Sequence, residues 1–436
     1  MTASLSIELL NHASVIFRAG DLSLLFDPWY SGTCFAGNWG LKYNNPEALD
    51  KAAAATHLWI SHPHEDHLHF PTLKQLAERA AGMTVLANVS DNINMPEIAG
   101  KIGFTKTMAL AERKRLQVAD GLSVIRYPAS RIDNMLVIDM GGLRILNYND
   151  CNIPAKALRQ LVDEFGPIDV LLCNYNHAYK LWDYVSDEPI FARFKQRFSL
   201  IAREVKPRWI IPFASLHYYR SRYCQNQNAS LMKPEDLVEL APDSVVVLHV
   251  GDSIHWQGDE KPVIERHEPA LARSSMDEKE YPNPAQWSEV LEVSQRYCQR
   301  LNRSFPLVKF WMPPVNILVD DHQRTVQLDL DKGAGEVDAS SAVNHMQLQS
   351  ETLVHAFTKP FGIDALWIGG DFSFKAEHVS LVHRFVMLGM LMDNELAASN
   401  FIRMPFQPAK WSFFLNRREE IGTIIKEHKF NLGERV

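Results

Sequence analysis

"WISHPHEDHLHFP" (residues 59–71) places four histidines and two acidic residues within the nine positions Ser61–His69. The apolar "THLWI" in front of it reads as a buried strand. "FPTLKQLAERAAG" behind it reads as an amphipathic helix closed by Gly82. The cluster therefore sits on a turn at a strand's C-terminal end, where α/β folds tend to place ligand sites. His62 and His64, two positions apart, can point to one side of the turn, while Asp66 and His67 open the helix and face the same centre from below. Imidazole and carboxylate without thiolate suit Zn, Fe or Mn, and four such groups in six residues can supply parts of two adjacent sites. The plain alternative is a solvated histidine-rich turn, against which the restrictive spacing His-x-His-x-Asp-His argues. His69 falls outside that spacing and is expected on the helix surface.

Outward from the turn, short apolar runs alternate with helical stretches as far as about residue 260. "SVIFRAGDLSLLFDP" reads as two strands joined at Gly20-Asp21, and "MTVLANV", "LSVIRYP", "NMLVIDMGGLRILNYND", "DVLLCNYNH", "RWIIPFA" and "DSVVVLHVGD" read as further strands. Helices such as "IPAKALRQLVDEFG" fall between several of them. This is a layered α/β pattern. Residues 261–290, rich in charge and proline, read as a linker. Residues 291–436 read as a smaller α+β domain, with a hairpin in "VNILVDDHQRTVQLDLD", a helix in "QSETLVHAF", a strand in "DALWIGGDFSF" and a long helix in "HVSLVHRFVMLGMLMDNEL".

Composition bounds the function. At 436 residues the chain exceeds what one core usually serves. With 45 Lys plus Arg against 52 Asp plus Glu, it has no basic field to attract nucleic acid. No apolar run approaches the ~20 residues of a membrane span, and the N-terminus lacks a secretory pattern, so a cytoplasmic protein is expected. The five cysteines are odd in number, spread out and free of any Cys-x-x-Cys pair, so any metal must use nitrogen and oxygen ligands.

The His-x-His-x-Asp-His spacing resembles the signature of the metallo-β-lactamase superfamily, whose four-layer αββα fold is then expected over residues 1–260. Within it, "NHASVIF", "LLFDPWYSGTCFAGNWG", "SHPHEDHLHFPTL", "NMLVIDMGGLRILNYNDC" and "KPRWIIPFAS" are similar to the metallo-β-lactamase-like part of CMP-N-acetylneuraminate hydroxylases. The resemblance implies that His62 and His64 ligate one metal, that Asp66, His67 and His217 ligate the other, and that Asp150 bridges them. Asp27 and His12 would stand behind the ligands. One ligand of the superfamily pattern is missing, since "RYPASRIDNMLV" carries no histidine between the motif and Asp150. His177, in "CNYNHAY", is the first candidate to replace it, with Asp133 behind it.

Two chemistries stay open. The lead reading is an iron-dependent oxygenase or hydroxylase acting on a small molecule. It would hold two divalent metal ions, with iron favoured and zinc or manganese the alternatives, and would take electrons from a separate ferredoxin or reductase, because the Cys-x-His and Cys-x-x-His pairs of a Rieske cluster are absent. The alternative is a metallo-hydrolase acting on a phosphodiester, lactone or ester, with Asp66 or Asp150 positioning a metal-activated water. Aromatic and basic residues after the ligand-bearing strands, Tyr179, Tyr218 and Arg220, are candidate substrate contacts. The second domain is similar in layout to sterol carrier protein 2-like domains. Such a module offers an apolar substrate surface, a homodimer surface or plain packing, and packing is the default.

Overall fold

The computed structural model describes residues 5–90, 93–129, 132–178, 190–256, 262–267, 274–310, 312–338 and 342–393. They divide between two compact units: Met1–Asn152 with Leu158–Pro282 and Ala365–Ser373, and Ile153–Ala157 with Asn283–Asp364 and Phe374–Val436.

The first unit is built on two sheets. In the first sheet, β1 (Leu5–Asn11), β2 (Ser14–Ala19) and β3 (Leu22–Phe26) form an antiparallel meander, and β6 (His57–Trp59), β7 (Thr84–Ser90) and β9 (Lys106–Leu110) continue it in parallel. The short β8 (Ile93–Asn94) pairs with β7, and β17 (Ser253–Trp256) and β18 (Val263–Glu265) extend the other edge. The second sheet runs β10 (Arg115–Ala119), β11 (Leu122–Pro128), β12 (Asn134–Met140), β13 (Leu143–Asn149), β14 (Val170–Cys173) and β15 (Trp209–Pro212).

Period-2 alternation explains how the sheets meet. Ile7, Leu9, Phe17, Leu24, Phe26 and Trp59 from one, and Val124, Leu136, Ile138, Ile145, Leu172 and Ile211 from the other, form a single buried cluster. The first sheet's opposite face, with Ile16, Leu25, Leu58 and Val85, packs on α1 (Ala48–Ala53), α2 (Phe70–Ala80) and α3 (Met95–Ile102). On the second sheet, the crossover helices α4 (Ala155–Phe165) and α5 (Ile190–Val205) join the parallel strands β13, β14 and β15. The outer residues Val137, Leu146, Leu171 and Ile210 are buried as well. This is the four-layer αββα arrangement of the metallo-β-lactamase fold. A third, small sheet pairs β4 (Thr33–Cys34), β5 (Trp39–Leu41) and β16 (His217–Tyr219), setting His217 opposite Leu41.

The second unit packs α6 (Trp287–Ser304) and α7 (Ser350–Thr358) with a sheet of β19 (Val315–Val319), β20 (Arg324–Asp329), β21 (Gly333–Val337) and β22 (Met346–Leu348). Tyr297 of α6 stacks on Phe357 of α7 at 4.0 Å. Two segments differ from their sequence reading. "DSVVVLHVGD" is not a strand: it meets β15 in one bridge, Ile210 with Val245, and then leaves the sheet to bury Val246, Leu248 and Val250 in the core. "DALWIGGDFSF" contributes to a helix, α8 (Gly362–Gly369), since a short apolar run cannot tell a buried strand from a buried helix by period alone. The long helix of the C-terminal half is α9 (Val379–Asp393). Among the described residues, no helix is long and apolar enough to cross a membrane.

The inter-sheet core carries the stability that holds the strand ends in register. Phe26 is fully buried there, with ring centroids 4.7 Å from Phe17 and 5.9 Å from Trp59. The Phe26→Ala variant is expected to lose about 3–5 kcal/mol in urea unfolding, whereas Phe310→Ala, at an exposed position, should change stability by less than about 0.5 kcal/mol.

Candidate metal centre

The strands deliver the site's side chains at their C-terminal ends. β3 hands over to Asp27 and β6 to the turn His62–His67. β13 hands over to Asp150, and the β1–β2 turn carries His12. The histidine turn closes on itself, with the backbone N–H groups of His67 and Leu68 both donating to His64 O, at 3.0 and 2.7 Å. Amides hold its entry: Asn88 Nδ2 donates to Ile60 O and Ser61 O, and Asn134 Nδ2 donates to Ser61 O at 3.1 Å. The Glu65 carboxylate accepts from the Phe35 backbone N–H, tying the turn to the β4–β5 loop.

Among the described residues, three groups of potential ligands result, each with its atoms within 4.8 Å of one another: His62, His64 and Asp133; His62, His67 and Asp150; and His12, Asp66 and His67. His62 Nε2 lies 2.8 Å from His64 Nδ1. Asp150 Oδ2 lies 3.6 Å from His62 Nε2 and 3.7 Å from His67 Nε2, so one carboxylate faces both histidines. Asp66 Oδ2 is 3.2 Å from His67 Nε2 and 3.1 Å from His12 Nε2. His12, however, does not offer a lone pair to the centre. Its Nδ1 accepts the Leu216 backbone N–H at 3.1 Å, so the ring proton resides on Nε2 and is donated to Asp66. His12 therefore aims Asp66 from behind.

Asp27 does the same for the turn. Its Oδ1 accepts the Ser61 N–H at 2.8 Å. Its Oδ2 accepts Ser61 Oγ–H at 2.8 Å, His67 Nδ1–H at 3.0 Å and Asn149 Nδ2–H at 2.7 Å. With Nδ1 of His67 committed to Asp27, Nε2 is the nitrogen that faces Asp66 and Asp150, at 3.2 and 3.7 Å.

The charges agree with a cation-accepting centre. Burial pushes His64 down to about 4, with the neighbouring His62 adding to the effect, so its ring is neutral near neutral pH. Burial also pushes His67 down, but the carboxylates of Asp66, Asp150 and Asp27 overcome it and hold that ring well above the usual histidine range. Burial opposes the ionised form of Asp66, and His67 and His12 outweigh it, keeping this carboxyl well below its ordinary value. Among the described residues, Asp150 Oδ1 and both ring nitrogens of His217 are buried without a hydrogen-bond partner, which is the pattern expected of ligand atoms. Two nitrogens bound at ~2.0–2.1 Å to one cation and at right angles lie ~3 Å apart, close to the spacing of His62 Nε2 and His64 Nδ1. Cys34 and Cys151 lie near these carboxylates, yet burial pushes their thiols well up, so they stay protonated. The residues fit a divalent cation held by nitrogen and oxygen.

Other residues singled out in the sequence fall elsewhere. His217 stacks on Trp39 at 3.7 Å, its ring centroid 5.7 Å from that of His12, and joins none of the three groups. The structure does not bring His177 to the centre. Its Nε2 meets Ser230 Oγ and its Nδ1 meets Tyr219 OH, each at 3.1 Å, and Asp133 stands beside His62 and His64 instead. Tyr218 OH donates to Asp277 Oδ1 at 2.6 Å, and Arg220 donates to Asp277 Oδ2 at 2.7 Å and to Gly37 O at 2.8 Å, so both satisfy the chain's own acceptors. Tyr179 lies outside the described residues. His69 is buried rather than on the helix surface: as the N-cap of α2, its Nδ1 accepts the Thr72 backbone N–H at 3.3 Å. Ser61, Glu65 and Asn149 carry no signal of their own in the sequence beyond adjacency to His62, Asp66 and Asp150.

A β-lactamase superfamily domain matches residues 6–214. The cytidine monophosphate-N-acetylneuraminic acid hydroxylase of Mus musculus is 25% identical over 289 residues, covering 59% of this chain and 49% of its own. The protein described as the inactive hydroxylase of Homo sapiens is 25% identical over 293 residues, covering 59% and 57%. The chain thus spans about half the length of the curated relatives it matches. Among solved structures, CmlA, a diiron β-hydroxylase from Streptomyces venezuelae, is similar at TM-score 0.42 and 19% identity over 59% of this chain and 55% of its own. Igni18, a metallo hydrolase from Ignicoccus hospitalis, is similar at TM-score 0.42 and 15% identity over 58% and 99%. On its strand order, its histidine turn and the family match, the segment 6–214 is a β-lactamase superfamily domain.

Proposed function

We propose that the chain is a metal-dependent hydroxylase with a two-position iron centre, acting on a small molecule with electrons from a separate ferredoxin or reductase. The observation that carries the reading is Asp133 beside His62 and His64. Two imidazoles and one carboxylate on one side of a centre form the ligand set of non-haem iron oxygenases, which leaves coordination positions for dioxygen and substrate. The hydroxylase relatives, such as the Mus musculus protein at 25% identity over 59% of this chain, support it.

In this reading His62, His64 and Asp133 hold the first position. His67, Asp66 and His217 hold the second, with Asp150 between them. Iron at these positions would supply the one-electron and dioxygen chemistry that no side chain provides. His12 keeps Asp66 ionised and aimed. Asp150, its side chain 28% exposed against 7% for Asp66, is the more open of these two carboxylates to a substrate entering from solvent.

The placement of Asp150 favours one other reading. A carboxylate facing both histidine positions also suits a hydrolase that activates water between two cations. Protein purified without added metal separates the two. Roughly one to two irons per chain, with an absorption change when the reduced protein meets oxygen, are expected. Zinc together with hydrolysis of generic phosphodiesters or lactones would sink the hydroxylase.

Ligand assignment has its own check. The Asp133→Ala variant is expected to lose about half of the bound metal, while His177→Ala keeps the full complement, as measured by elemental analysis. The opposite result returns His177 to the site.

Metal affinity should also depend on pH. The carboxylates hold a proton on His67 above the usual histidine range, and a cation must displace it. Below that raised pKa each unit of acidification should weaken binding about tenfold for one displaced proton, and the dependence should level off above it, as read by chelator competition. A flat profile from neutral pH downward would exclude His67 as a ligand.

A further inference from the structure

Ser61 lies at the foot of the site with its side chain fully buried, and its hydroxyl touches three titratable groups. Oγ is 2.8 Å from Asp27 Oδ2, 2.9 Å from His62 Nδ1 and 3.3 Å from His67 Nδ1. A hydroxyl has one proton and two acceptor sites, whereas a carboxylate only accepts. Asp27 Oδ2 thus requires a donor from each neighbour, and Ser61 spends its only proton there. His62 Nδ1 faces the same oxygen at 2.9 Å. Were it a lone pair, two acceptors would be opposed in a buried place, so it must carry the proton and donate to Ser61 Oγ.

From this geometry we infer that Ser61 is a positioning residue that relays the Asp27 charge to His62, fixing the Nδ1–H tautomer and leaving Nε2 as a lone pair toward the centre. One buried carboxylate then sets the tautomer of two histidines, one on each proposed metal position. It acts on His67 directly at 3.0 Å and on His62 through the Ser61 hydroxyl. The chain His62 Nδ1–H to Ser61 Oγ–H to Asp27 runs in one direction, so each bond polarises the next and holds the His62 ring with Nε2 toward the centre. Among the described residues, His64 has no such backing. Its Nδ1 meets His62 Nε2 at 2.8 Å, and its place depends on the His62 tautomer being correct.

The inference extends the metal-centre reading and rests on it only for its consequence on binding. The tautomer itself is measurable without metal. In metal-free protein labelled with 15N-histidine, long-range 15N–1H correlation spectra should show a proton on Nδ1 of both His62 and His67, with Nε2 of His62 bare. In Ser61→Ala, His62 should leave that state while His67 keeps it, because Asp27 still reaches His67. Metal titration with a chelator should then show the His62/His64/Asp133 position weakened about tenfold to hundredfold and the other position changed by less than about threefold. Ser61→Thr, which keeps a hydroxyl at the same atom, should restore both readouts.

An unchanged His62 tautomer in Ser61→Ala overturns the inference, as does equal weakening of both positions, which would mark Ser61 as a packing residue. If Ser61→Thr does not fold, the comparison of wild type with Ser61→Ala still decides. Wild-type protein that binds no iron, zinc or manganese would defeat the metal-centre reading, while the spectra would continue to test the relay.

Discussion

A carboxylate with no exposure to solvent organises the domain. Taking Asp27 out of water costs several kcal/mol unless its oxygens are matched by donors, and four donors match them: the Ser61 amide and hydroxyl, His67 Nδ1 and Asn149 Nδ2. Hydrogen bonds to a charged group contribute about 1.5–3 kcal/mol each, enough together to outweigh the burial. These donors come from the ends of strands in two different sheets, since Ser61 follows β6 and Asn149 closes β13. Removing the carboxylate would therefore leave the first sheet's histidine turn and the second sheet's Asp150 without their common anchor.

The backbone pays for this convergence at four corners. His12, Asp27, Asn149 and Ala214 take positive φ values of 30°, 39°, 58° and 52°, a region that costs a residue with a side chain about 1–3 kcal/mol. These corners restrain one another in pairs. The Ala214 N–H donates to His12 O at 2.8 Å, and the Asn149 side chain donates to Asp27. Each pair links the first sheet to the second at the end where the ligands gather. Strain concentrated at mutually bonded strand ends is what a preorganised site requires, because the side chains have no other low-energy place to go.

The histidine turn was readable in the sequence because residue type, spacing and a strand-turn-helix frame coincide within thirteen residues. The frame itself was readable because both sheets bury alternating apolar faces. Distance in sequence hid the rest. Asp133 reaches His62 and His64 because its neighbour Asn134 donates to Ser61 O across 73 residues, a bond no local pattern announces. His177 and Asp150 look alike from sequence, each at a strand end. Only the fold shows that Tyr219 and Ser230 take up the His177 nitrogens. Tyr218 and Arg220 suggested substrate contacts because their partner, Asp277, lies in a charged stretch that reads as linker. His69 suggested a surface position because a histidine is an unusual helix cap, and its role follows from where α2 begins.

His217 shows how the proposed centre resolves a local conflict. Its ring is stacked on Trp39, an arrangement worth about 0.5–1.5 kcal/mol beyond area burial. Both its nitrogens are buried without partners among the described residues, and each such group costs about 1–3 kcal/mol. The stack alone is too weak to justify the placement, and burial together with the nearby His12 drives the ring toward its neutral form, ready to donate a lone pair. Leu216 N–H, one residue earlier, is held by His12, the same side chain that aims Asp66. His12 thereby sets the approach of β16 and the direction of Asp66 with its two ring nitrogens. The proposed second position draws on both: a carboxylate already directed inward, and an imidazole stacked on Trp39 whose energetic balance improves when it gains a partner.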